Sequence, residues 1–488
     1  MWARYMENKV CVLFDKNVIR GKNSQRREGK EMKRLVVFGI GYQCKKILEG
    51  GLLDSYHIVA FVDNDKNRWG EVIAGEKIIS PKEGLKQDFD KVLIMTTTYA
   101  AEIYAQLIES FSIPKEMIIS LGDLLYNLYT EVYNEGFLFM LHHCPSNYVP
   151  AAILSDGEKT TSDISLVDRI IEAYHRTLEH SKESGESWWT TGWIWDCKED
   201  IHKKLLSGNR DEVKNILRNP ATNNLFWGFE SIAANQTLKD ADKKKIARLI
   251  YDNIVQLAAY LGVVRMPNPE ANDFTPKMNL DDVFDKISAK YGFDLKFPNP
   301  YPGELGIPTK RGIVGYRTVQ ALYQAIKIHE LVNENNNDVK VLEIGAGLGR
   351  TAYFAYQMGI KNYTILDIPM TNVAQEYFLG RTIGEECVAF VGEGFANEIK
   401  ILPSYMLQEL EEEKYDLILN VDSMTEMDED SQKNYWKYIQ THTNIFLSIN
   451  HEANTHMVRE LYLDTDFKVH RRICPMRRGY IEEEVFLN

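Results

Sequence analysis

Short apolar runs, each closed by a glycine or an acid, recur in two separate stretches of the chain, with helically spaced apolar positions between them. In the first stretch Leu35-Val36-Val37-Phe38 runs into Gly39-Ile40-Gly41 and then Tyr42–Leu48, which predicts strand, turn and helix. His57–Val62 predicts a second strand ending in Asp63-Asn64-Asp65, and Lys91–Met95 a third. A Thr-rich turn and a helix through Ile108 follow, then a short fourth strand at Ile118–Leu121. Continuous apolar runs bounded by turn residues suit strands buried on both faces, and their alternation with helices predicts a parallel sheet.

The second stretch repeats the pattern. Val339–Leu342 precedes Glu343-Ile344-Gly345-Ala346-Gly347-Leu348-Gly349, and Thr351–Tyr356 can begin a helix. Further strands are predicted at Tyr363–Leu366, Cys387–Val391, Tyr415–Val421 and Asn444–Ile449, with a closing strand at Gly479–Leu487. Between the stretches, Leu166–Tyr174, Lys243–Leu261 and Val314–Val332 carry helical spacing. The Pro- and Gly-rich segment Phe297–Pro308 predicts turns, and its place ahead of the last domain suggests a lid or substrate loop as well as a linker. The expected fold class is therefore α/β, with two doubly wound Rossmann-like domains separated by a mainly helical middle region. The expected segments are a mobile leader at 1–32, a Rossmann-like domain at 33–124, a helical linking or substrate region at 125–335, and a last domain at 336–488.

Composition narrows the function. A chain of 488 residues is too long for one ordinary core. A net charge of −13 argues against a nucleic-acid footprint, although Arg20 to Arg34 form a basic cluster that reads as a solvated leader. Met32 could be a natural start. Six cysteines without a CxxC pair read as free thiols of a reducing, cytoplasmic compartment. No apolar run approaches the roughly 18 residues of a membrane span. The adjacent pair His142-His143 beside Cys144 lacks a third ligand at metal spacing. Trp188, Trp189, Trp193 and Trp195 read as core first and as a sugar-stacking platform second.

Glu343-x-Gly-x-Gly-x-Gly is the chemical centre. Glycines let the backbone turn sharply and approach a ligand, and a helix N-terminus after the turn offers N–H groups. The spacing differs from the pyrophosphate fingerprint Gly-x-Gly-x-x-Gly. Asp367 ends the next strand, where open α/β sheets bind ligands. In the first stretch Gly39, Gly41 and Asp63 form a weaker second nucleotide site, because Lys45 stands near the place of the third glycine.

The Glu343–Gly349 run resembles motif I of class I S-adenosylmethionine (SAM) methyltransferases. With Lys361–Pro369 and Asn420-Val421-Asp422-Ser423-Met424-Thr425-Glu426-Met427, residues from about 300 to 488 resemble the bacterial putative sugar O-methyltransferase family. The first stretch resembles nucleotide-binding Rossmann-like domains found beside sugar-modifying enzymes. These resemblances imply SAM as cofactor, held by Glu343, Gly345, Gly347, Gly349, Asp367, Gly392 and Asn420. They imply methylation of a sugar hydroxyl, on a bacterial surface glycan or its nucleotide-sugar precursor. A hydroxyl is a weak nucleophile, so a general base is expected from His451 or Asp422, with Glu426 orienting the acceptor. Asp422 and Glu426 would face one side if their loop opens a helix. A divalent metal held by Asp422, Glu426 and Glu452 stays open, as does homo-oligomerisation. The alternatives are methylation of another small metabolite, and a nucleotide-sugar oxidoreductase or binding protein working through the first domain.

Overall fold

The computed structural model describes residues 32–40, 44, 47–48, 53, 56–96, 99–121, 150–159, 162–183, 192–223, 225, 240–265, 278–332, 338–394, 399–454 and 456–487. The chain divides into two compact units, residues 1–140 and 141–488. The basic cluster ahead of Met32, Gly41, the His142–Cys144 triplet, Trp188 and Trp189 lie outside the described residues. Of Trp193 and Trp195 only the backbone is described.

The first unit is built on β1 (Lys33–Phe38), β2 (Tyr56–Val62), β3 (Val72–Ile73), β4 (Glu76–Ile79), β5 (Lys91–Ile94) and β6 (Ile118–Ser120), in the order β3-β4-β2-β1-β5-β6. Helix α1 (Ala100–Glu109) follows β5. The β1, β2, β5 and β6 pairings are parallel, as the run pattern predicts. Leu35, Val37 and Leu93 feed one core, and Val36, Phe38 and Val92 another, so the central strands are buried on both faces. The β3–β4 arm was not legible: Glu76-Lys77 is exposed and polar, and only Ile78 of β4 is buried.

In the second unit, β7 (Ile153–Leu154), β8 (Leu305–Thr309) and β9 (Gly312–Val314) form a small antiparallel sheet. The helices are α2 (Ile164–Glu183), α3 (Gly192–Ser207), α4 (Arg210–Arg218), α5 (Asp240–Tyr260), α6 (Leu280–Tyr291) and α7 (Tyr316–Leu331). They share one core with the C-terminal sheet, running from Leu166 and Tyr174 through Ile254, Phe284 and Leu322 to Val341 and Tyr363. The helical middle is thus one wall of the unit that carries the glycine turn.

That sheet holds β10 (Lys340–Ile344), β11 (Asn362–Asp367), β12 (Val388–Ala389), β13 (Ile399–Pro403), β14 (Leu417–Val421), β15 (Ile445–Asn450), β16 (Lys468–Ile473) and β17 (Ile481–Phe486). Their order is β12-β13-β11-β10-β14-β15-β17-β16, parallel from β12 to β15, with β17 antiparallel to both neighbours. Helices α8 (Arg350–Gln357), α9 (Pro369–Ile383) and α10 (Glu429–His442) complete it. No described helix is long and apolar enough to cross a membrane.

Two expectations are corrected. The strand expected at Cys387–Val391 pairs only over Val388–Ala389, at the sheet edge, and the strand beside β11 is β13. The segment Phe297–Pro308 is no free lid. Phe297, Tyr301, Glu304 and Ile307 are buried, and the Tyr301 ring stacks on Tyr377 and Phe378. Glu304 accepts a hydrogen bond from the buried Arg350 guanidinium at 3.1 Å, fastening the segment to the first residue of α8.

Candidate functional site

The site begins where β10 runs out. Parallel pairing places Ile344 level with Leu366, so the glycine turn and Asp367 emerge together at the carboxyl edge. Gly345 has φ +75°, and a Cβ there would come within 2.1 Å of Ser423 Oγ. Its glycine is therefore required twice, by the left-handed backbone and by the neighbouring loop. Gly349 precedes α8 without a side-chain cap, so no cap side chain takes up the N–H groups of the first turn. Gly347 donates its N–H to Asp367 Oδ2 at 3.2 Å. Asp367 Oδ2 also accepts from Gln375 Nε2 at 2.8 Å, and Oδ1 accepts from the Ile368 N–H.

Glu343 lies beneath the turn rather than on its surface. It is 2% exposed, and its Oε2 accepts from Tyr363 Oη at 2.8 Å. Burial pushes its carboxyl up to about 8, against the hydrogen bond from Tyr363 and with Asp367 adding repulsion. At neutral pH it is mostly a neutral acid.

The Asn420–Met427 loop braces the turn from the other side. Asn420 is fully buried, and its Nδ2 donates to the Ile344 carbonyl at 2.9 Å. Ser423 Oγ donates to the same carbonyl at 2.7 Å, and Asn450 Nδ2 donates to Asn420 Oδ1. The Asn420 side chain is thus committed to holding the end of β10 in place.

Asp422 takes φ +64°, a left-handed conformation uncommon for any residue but glycine and often met at functional sites. Its Oδ2 accepts from Arg477 Nη2 at 2.8 Å and from Tyr480 Oη at 2.7 Å. Its Oδ1 has no hydrogen-bond partner, and His451 Nε2 stands 3.5 Å away. His451 is buried, and its Nδ1 accepts from the Ala453 N–H at 3.2 Å. With Nδ1 accepting, the proton of the neutral ring sits on Nε2, toward Asp422. The Tyr480 ring meets His451 edge-on at 5.5 Å, and the Arg477 guanidinium lies 3.7 Å over the same ring.

The structure therefore brings Asp422 and His451 together, and adds Arg477 and Tyr480, which sequence reading missed. Their only signal was polar and aromatic residues just ahead of β17. Glu426 sits in a 3-10 turn at Met424–Glu426, and α10 begins only at Glu429, so the expected shared helical face with Asp422 is corrected. Gly392 lies beyond β12, where a Cβ would come within 2.6 Å of the Arg176 side chain, while Glu393 pairs with Arg169. Glu452 is held by both Arg471 nitrogens at 2.9 and 3.0 Å, which keeps its carboxyl below the usual range. Among the described residues, no group of three or more His, Cys, Asp or Glu side chains is placed to hold a metal ion. In the first unit Asp63 Oδ2 accepts from the Ile40 N–H at 2.8 Å, beside Gly39 with φ +84°. The same carboxylate faces Arg68 at 3.4 Å.

A family model described as C2185-like, N-terminal, matches residues 31–119. No curated protein matches the chain. Among solved structures, the chain is similar to the O-methyltransferase from Bacillus cereus in complex with SAH, at 11% identity over 49% of this chain and 99% of that one, with a TM-score of 0.28. It is also similar to the glycopeptide N-methyltransferase MtfA complexed with SAH, at 14% identity over 34% and 90%, with a TM-score of 0.26. A third is magnesium protoporphyrin IX methyltransferase (ChlM) from Synechocystis PCC 6803 with bound SAM, at 14% identity over 35% and 78%, with a TM-score of 0.26. At these TM-scores the likenesses assign nothing to the chain, and its chemistry rests on its own residues.

Proposed function

We propose that the second unit is a SAM-dependent O-methyltransferase. The observation that carries this reading is the Asp367 carboxylate, set at a parallel strand tip and tied to the glycine turn through the Gly347 N–H. The residues fit the cofactor. A carboxylate at this tip suits a ribose hydroxyl: Oδ2 is fixed by Gly347 and Gln375, and Oδ1 can accept in addition to the Ile368 N–H. The uncapped start of α8 suits the cofactor's carboxylate end. When bound, SAM supplies a methyl group on a positively charged sulfur: the S–C bond breaks, its electron pair stays on sulfur, and a C–O bond forms.

The protein's part is to align the acceptor hydroxyl and take its proton. Asp422 Oδ1 is the proton acceptor. Arg477 and Tyr480 occupy Oδ2 and fix the carboxylate, so that Oδ1 is buried without a hydrogen-bond partner, 3.5 Å from His451 Nε2, while His451 Nδ1 is engaged by the main chain. Glu426 orients the acceptor from the adjoining turn. The acceptor is a sugar hydroxyl of a bacterial surface glycan or nucleotide-sugar, a reading supported by the family resemblance of the Asn420–Met427 run. Asp422 Oδ2 and both Glu452 oxygens are each matched by an arginine. In the first unit, the hydrogen bond from the Ile40 N–H to Asp63 supports a nucleotide-type ligand there.

Labelled-methyl transfer from SAM to nucleotide-sugars and surface-glycan fragments, with and without EDTA, tests this reading. Label in a sugar product supports it. Label only in non-sugar acceptors would move the assignment to another small metabolite.

A further inference from the structure

A chain of amides runs away from Asp367 into α9. Gln375 is 0% exposed, and its Nε2 donates both to Asp367 Oδ2 at 2.8 Å and to the Gly347 carbonyl at 2.7 Å. Its Oε1 accepts from Asn372 Nδ2 at 2.9 Å. Asn372 is 5% exposed, and its Oδ1 has no hydrogen-bond partner.

The orientation of each amide follows from chemistry. A carboxylate and a carbonyl are both acceptors, so the Gln375 end facing them must be its NH2. Its oxygen then faces Asn372, which must present its own NH2. The oxygen of Asn372 is left over. Buried acceptors are nearly always satisfied, and an unmade bond there is destabilising. Apolar residues at 372 and 375 would avoid that cost, so the relay is poorly explained as a device for stability. What it does achieve is to fix one Asp367 oxygen and the Gly347 peptide relative to each other.

Resting on the methyltransferase reading, we infer that Gln375 is a positioning residue of the cofactor site. Its amide, oriented by Asn372, holds Asp367 and the glycine turn in the geometry that receives the ribose. Gln375 acts through Asp367 and does not touch the reacting atoms. Its loss therefore acts on cofactor binding and leaves the transfer step alone.

The experiment is titration of the full chain with SAH, using Gln375→Leu, Asn372→Ala, Asp367→Ala and the double variant Asp367→Ala/Gln375→Leu. Gln375→Leu is expected to weaken SAH binding about tenfold or more, as losing a hydrogen bond to a charged group does. It should raise KM for SAM while kcat stays within about twofold. Asn372→Ala, a milder change that keeps the Gln375 donor, should give a smaller loss of the same kind. In the Asp367→Ala background, Gln375→Leu should cost less than about twofold, because interacting residues are non-additive. Equal losses in both backgrounds, or unchanged affinity in Gln375→Leu and Asn372→Ala, would overturn the inference while leaving the methyltransferase reading intact. Wild-type protein that does not bind SAH overturns both.

Discussion

Asp422 combines a left-handed backbone with a carboxylate whose two oxygens live in different surroundings. Arg477 and Tyr480 anchor one oxygen, and in the proposed mechanism the other takes the acceptor's proton. Asp422→Asn should lower kcat by about a hundredfold or more, the scale of a lost general base, while SAH affinity stays within about twofold. Steady-state kinetics with the acceptor identified by labelling, together with SAH titration, check this. Glu343 behaves in the opposite way, as a buried acid kept neutral. Its folded carboxyl titrates near 8, above its ordinary value of 4.5, so the folded state holds a proton that the unfolded chain releases between those values. Its contribution to stability is therefore fully present below about 4.5 and is lost as pH rises through about 8. Glu343→Gln should flatten that slope: denaturant unfolding at pH 5.5 and 8 should show the variant gaining on wild type at the higher pH.

At the scale of elements, the site is held by neighbours reaching toward the end of β10. The Asn420–Ser423 loop grips the Ile344 carbonyl from one side, and the segment ahead of β8 grips Arg350 from the other. Glu304→Ala would leave the Arg350 guanidinium buried and unpaired, a loss of about 3–5 kcal/mol to be read by urea unfolding. These grips explain what the sequence could and could not show. Strands β1, β2, β10, β11, β14 and β15 were legible because burial on both faces leaves continuous apolar runs. Strand β16, Lys468-Val469-His470-Arg471-Arg472-Ile473, was not, because it lies at the sheet edge and is largely exposed, with a polar sequence to match. Val388–Val391 looked like a strand through its apolar content, yet only Val388 and Ala389 pair, and Phe390 and Val391 are buried without strand pairing. Glu343, the glycines and Asp367 were legible as a spaced motif. Arg477 and Tyr480 were not, since they reach Asp422 from 55 and 58 residues away and no local spacing announces that contact. Gln375 was hidden within the apolar-rich text of α9 for the same reason.

At the scale of the whole molecule, each of the two compact units carries a largely parallel sheet, with an acid at the tip of its second strand accepting a hydrogen bond from the backbone that follows the first strand. On the proposed reading, residues 141–488 alone bind the cofactor. SAH at about a hundred times its Kd should stabilise that unit by about 2.7 kcal/mol through mass action. Hydrogen exchange should then show slowed opening of β10, β11 and β14 and no change in β1, β2 and β5. The most direct test of the central claim is calorimetric titration of SAM and SAH into wild-type protein and Asp367→Ala. Wild type should bind, and the variant should bind at least about tenfold more weakly, the cost of losing a charged hydrogen-bonding partner. No binding to wild type, or equal affinity for both proteins, would contradict it.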